Sequence, residues 1–192
     1  SNIFVLVLML MMIFGSISAF AADWDYRLMH NDHDALIIGE ITEIADNKML
    51  VQVEKQIINP EGWDKKQTSL SGIIAVDSIE YYRFCVEGDE EGEPKVGDYV
   101  LASLNKTQQG FEDAYGIHKV DSKDYKTLKL IIPRYHIYSP HHNLTIAAIN
   151  RFVNSDGKDS EFSYDGNKLY LGNELIYEYT EIDVNKQTSA DE

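Results

Sequence analysis

The sequence predicts a β-rich α+β protein in which a five-stranded barrel is followed by a small helix-plus-meander extension. Three observations predict it. Residues 35–58 read as one long hairpin with a glycine inside its first strand. Short apolar runs bounded by loop signals follow at 73–76, 97–104 and 115–120. After residue 126 the pattern changes to one helical stripe and then short alternating strands.

The chain opens on an unbroken apolar run, Ile3 to Phe14, followed by Gly15-Ser16-Ile17-Ser18 and then Ala19-Phe20-Ala21. That order is an h-region followed by an A-x-A cleavage site, so residues 1–21 are expected to be a signal peptide. Twelve apolar residues rise about 18 Å as a helix, short of a hydrocarbon core of roughly 30 Å. An uncleaved anchor reaching Ala22 is the alternative, and it is the only expected contact with a membrane. The mature chain is thus expected to be exported, either secreted or at the cell surface.

Residues 22–125 form the expected barrel. Ala35 to Ile44 is a strand broken by Gly39, Ala45-Asp46-Asn47 a turn, and Met49, Val51 and Val53 the apolar face of the returning strand. A glycine inside a strand marks a bulge or a bend, and long bent strands are how small barrels close. Asn59-Pro60-Glu61-Gly62 begins a loop, and a third strand is expected at 73–76. Residues 77–86 fit either a strand or a helical turn. Glu87 to Glu93 holds five carboxylates and two glycines in seven residues and is expected to be an exposed loop. Strands at 97–104 and 115–120 complete the five.

Residues 126–182 form the expected extension. Leu128, Leu130 and Ile132 alternate as a strand ended by Pro133. Ser139-Pro140 pairs an N-cap residue with a proline suited to the first helical position. Leu144, Ala148, Ile149 and Phe152 then make one stripe, and Asp156-Gly157 ends it. Glu161 to Tyr179 reads as a meander with turns at 165–167 and 172–173. Neither the helix nor the meander can bury its apolar face alone. The helix is therefore expected to pack on a sheet made by 127–132 and 161–180, and the unit to dock on the barrel. Residues 183–192 are a polar tail.

The run Asp34-Ala35-Leu36-Ile37-Ile38-Gly39-Glu40-Ile41, a polar hairpin strand, Cys85 and Gly97-Asp98-Tyr99-Val100-Leu101 together resemble secreted OB-fold modules of the netrin and metalloproteinase-inhibitor type. The resemblance spans residues 33–121 and implies an OB-like barrel. The bridging cysteines of those families are absent apart from Cys85, and so is the inhibitors' N-terminal cysteine. Protease inhibition is therefore not carried over, and fold alone does not give function.

Composition narrows the function classes. Seventeen basic and 32 acidic residues give a net charge of −15, which argues against nucleic acid as a partner. One cysteine excludes an internal disulfide framework and a multi-cysteine zinc site.

Six histidines invite a metal reading, with His30, Asp32 and His33 close in sequence and His141 as a later ligand. Such a set would serve a metal-dependent hydrolase, which needs convergent ligands and an open position for water. No HExxH or comparable spacing supports it, and the plainer expectation is histidines in surface loops. The acidic run at 87–93 lacks the alternating ligands of a calcium loop, and the similar stretch at 154–161 has a lysine where a ligand should be. Cys85, between Phe84 and Val86, reads as core packing. No nucleophile elbow or phosphate loop occurs, and no catalytic residue or cofactor is expected.

Aromatic residues make up 11 % of the chain, with 12 tyrosines and 2 tryptophans. Tyr81, Tyr82, Tyr135 and Tyr138 flank loops, while Trp24, Tyr26 and Trp63 fall in stretches read as irregular. Tyr164, Tyr170, Tyr177 and Tyr179 suit strands. Tyrosine and tryptophan give large contact area at low entropy cost. The leading expectation is therefore a non-catalytic binding module, its ligand an extracellular or envelope protein or glycan.

Overall fold

The computed structural model describes residues 24–81, 93–131 and 139–181. The expected leader and polar tail, Cys85, most of the acidic run at 87–93, Tyr82, Tyr135, His136 and Tyr138 lie outside the described residues.

Helix α1, Trp24–Met29, precedes strand β1, Ala35–Ala45, which pairs antiparallel with β2, Lys48–Ile57. Asp46 and Asn47 join them with φ of 52° and 59°, the paired positive values of a type I′ turn, whose twist matches the strands. Strand β3, Gly72–Val76, runs along β2. Strands β4, Tyr99–Lys106, and β5, Phe111–Val120, form a second hairpin. β1 pairs with β4, and Val76 of β3 meets Phe111 of β5 in parallel, so the five strands close in the order β1-β2-β3-β5-β4.

Gly39 sits where the β1–β2 register slips, Ile38 pairing Lys55 and Gly39 pairing Val53. The slip is the expected irregularity, but unusual backbone angles are not its reason, since Gly39 is not among the positive-φ glycines. The reason is space. A Cβ at Gly39 would stand 2.5 Å from Val51 Cγ1 and 2.7 Å from the Gln52 carbonyl oxygen.

Residues 35–38 are buried on both faces, which is why they read as an unbroken apolar run. Period-2 alternation splits them between two cores. Ala35, Ile37 and Ile41 point into one with Met49, Val51, Val100, Leu104 and Ile117. Leu36 and Ile38 point into another with Leu101 and Val120. Helix α2, Pro140–Asn154, completes this second core with Leu144, Ala148, Ile149 and Phe152. Ser139 caps the helix, and its end is closed by the Gly157 N–H donating to the Phe152 carbonyl at 2.9 Å.

Strands β6, Phe162–Asp165, β7, Lys168–Leu171, and β8, Glu174–Glu178, form a separate three-stranded sheet. The strand expected at 127–132 is not part of it. Residues 124–128 turn, with the Thr127 and Leu128 N–H groups both reaching the Asp124 carbonyl. Leu130 then makes one bridge, to Val120 of the barrel. Leu128 and Leu130 alternate because both reach the second core as the chain crosses it, and Ile132 lies outside the described residues.

Candidate functional site

The site is built around helix α1, which sequence reasoning missed. Six residues are too few for a clear helical stripe, although Trp24 and Leu28 stand four apart. Asp25 in its first turn and Arg27 in its last suit the helix dipole. Trp24 and Tyr26 are thus helical, not irregular as the sequence suggested.

A buried amide lock fixes the end of α1 to the β2–β3 connection. Asn31, in the left-handed region at φ 61°, donates to the Asn59 carbonyl at 2.8 Å and accepts from the Asn59 N–H at 3.0 Å. Asn59 in turn donates from its side chain to the Met29 carbonyl at 2.8 Å. Gly62 passes so close that a Cβ there would lie 2.5 Å from Asn31 Nδ2. The next residue, Trp63, donates its backbone N–H to the His30 carbonyl at 2.9 Å. Trp63 is therefore held at the open end of the first hairpin, the end where Leu36 pairs with Ile57.

His30 lies under this surface. It is buried, with Nδ1 2.7 Å from the Tyr26 carbonyl oxygen and Nε2 2.7 Å from Glu161 Oε1. Its ring stacks on Tyr26 at 3.7 Å between centroids, and Trp63 is tilted 6.2 Å from Tyr26 and 6.3 Å from His30. Tyr26 and Trp63 are 39 % and 41 % exposed, although both are anchored by their neighbours.

The other residues of the expected metal set do not join His30. Asp32 binds Arg27 at 3.2 Å and accepts from the Tyr115 hydroxyl, which also accepts from Arg27 at 2.9 Å. His33 is fully buried, with Nδ1 3.1 Å from Ser103 Oγ and no partner for Nε2 among the described residues. Burial pushes its pKa down to about 4, with Lys65 adding to the shift. His141 is exposed in the first turn of α2, beside an open cavity of about 490 Å³ shared with Asp25, Leu144 and Tyr164. Among the described residues no three His, Cys, Asp or Glu side chains gather as a metal group.

His30 and His33 also depart from the expectation of surface loops, because both are buried under segments that follow in the chain. His118, not singled out in the sequence, is buried too. It stacks on Trp24 at 5.4 Å, and burial pushes it down to about 4.

Comparison of the chain with protein-family models, with curated proteins and with solved structures finds no match.

Proposed function

We propose that the chain is an exported, non-catalytic binding module built on an OB-like barrel, with a protein or a glycan as its ligand. Five strands in one closed ring, led by a long hairpin with two register slips, support the OB-like reading. The apolar leader supports export. Among the described residues no helix is long and apolar enough to cross a membrane.

The observation that carries the binding reading is the Tyr26–Trp63 pair. Large aromatic side chains are costly to leave in water unless something covers them. These two are half-exposed, yet they stand on a fixed support of His30, Gly62 and the Asn31–Asn59 lock. A rigid aromatic surface loses little entropy when it meets a ligand. The hydrolase alternative has less support, since His30, Asp32, His33 and His141 have separate neighbours and no shared focus.

The test is binding of the mature chain to panels of immobilised oligosaccharides and peptides, with Trp63→Ala as the control. A ligand that the variant loses at least tenfold, at an unchanged melting temperature, supports the reading. Equal binding by parent and variant sinks it. Zinc-dependent ester or peptide hydrolysis that disappears with His30→Ala would favour the hydrolase.

A further inference from the structure

We propose, resting on the binding reading above, that Tyr26, Trp63 and Glu161 form a subsite for a lysine or arginine side chain of a partner protein.

Two other tyrosines supply the contrast. Tyr125 carries the Lys55 ammonium 4.5 Å from its ring centre and that of Lys126 at 5.8 Å. Tyr115 carries the Arg27 guanidinium at 5.9 Å. An aromatic face attracts cations because its π-cloud is electron-rich, and here the chain covers those faces itself. No lysine or arginine among the described residues lies over Tyr26 or Trp63. Lys65, two residues beyond Trp63, turns to Asp34 at 3.5 Å.

Charge points the same way. Glu161 uses Oε1 for His30, and its side chain stays 75 % exposed, so Oε2 is left for an incoming donor. Exposed Glu61 and Asp64 flank Trp63 in sequence. His30 takes one face of Tyr26, so a cation would use the other face together with Trp63, and Glu161 is tied to this pair through the His30 ring. A guanidinium suits this best, because it stacks flat on a ring while its edge donates to a carboxylate. The net charge of −15 favours approach by a basic partner and opposes an acidic glycan.

The test is calorimetric titration with hexa-arginine, using hexa-serine and chitotetraose as neutral probes, in 50 mM and 150 mM salt. Glu112→Gln is the charge control, since Glu112 is exposed on β5 and its loss changes net charge as Glu161→Gln does. The parent is expected to bind hexa-arginine alone. Trp63→Ala should weaken it at least tenfold and Glu161→Gln about threefold, while Glu112→Gln stays within twofold. Tyr26→Leu repeats the test if Trp63→Ala melts early. Equal loss with Glu112→Gln would reduce the effect to bulk charge and overturn the subsite. Chitotetraose binding that needs Trp63, without hexa-arginine binding, would overturn it too and leave the binding reading standing. Failure of every probe counts against both.

Discussion

The inner core of the barrel and the core beneath helix α2 are built from the same strands but depend on the chain differently. The inner core draws only on the barrel and its adjoining loop, with Ile37, Ile41, Met49, Val51, Leu104 and Ile117 closing on one another. The second core draws on every part. Leu36, Ile38 and Leu101 come from the barrel, Leu28 and Met29 from α1, Leu144 and Phe152 from α2, and Leu169 from β7. In the three-stranded sheet only Leu169 is fully buried, so that sheet has no core of its own. The change of pattern near residue 125 is therefore a boundary in sequence and not in packing.

The sharpest way to break this comparison is Phe152→Asp. Phe152 is fully buried where barrel and helix meet. An unpaired carboxylate there, with the ring's packing lost, should cost about 4 kcal/mol or more. If the core is shared, calorimetry should show one transition moved down as a whole. Two transitions, with the barrel's own unmoved, would show that the halves fold apart.

Acid sharpens it next, because His33 sits at the entry to β1 and His118 on β5. Burial holds each near 4, below the ordinary 6.5. Between those values the unfolded chain binds a proton that the folded chain refuses. Stability is then fully present above pH 6.5 and lost as pH falls toward 4. Each histidine contributes on the order of 3 kcal/mol across that window, about 1.4 kcal/mol per pH unit. His118→Phe keeps an aromatic ring against Trp24 and removes the proton site. Urea unfolding at pH 6.5, 5.5 and 4.5 should show a slope shallower by one proton. An unchanged slope would mean that His118 already takes its proton in the folded state.

The strands were legible where one face or both are buried in the two cores, as in 35–57 and 99–106. The helix was legible because Ser139, Pro140 and the stripe through Phe152 agree. What escaped the sequence depends on contacts between distant segments. Leu128 and Leu130 alternate like a strand, yet their backbone turns to Asp124 and Asn150. The aromatic site escaped because Tyr26 and Trp63 are brought together by Asn31 and Asn59, neither of which carries a motif. Gly39 was legible as a break, but its cause was not. Gly39→Ala tests that cause and should cost about 2 kcal/mol, since the Gln52 carbonyl is backbone and must shift. Adding Val51→Ala removes the nearer obstacle, so the double variant should lose less than the two single losses combined. Strict additivity would place the strain elsewhere.

The smallest expected effect comes from the polar tie between the two regions. Lys55 of β2 reaches Asp156 beyond α2 at 2.9 Å, while its ammonium also lies over the Tyr125 ring. Both partners of the ion pair are about a third exposed, so water and salt screen the attraction. Holding a long lysine in one rotamer offsets part of what remains. Lys55→Met keeps most of the aliphatic stem on Tyr125 and removes the charge. It should cost less than about 1 kcal/mol in 150 mM salt, and the loss should shrink further in 0.5 M salt. The buried apolar contacts of the second core would then be what binds the regions together. A loss above about 2 kcal/mol that ignores salt would reverse that ranking and make the charged tie the main link.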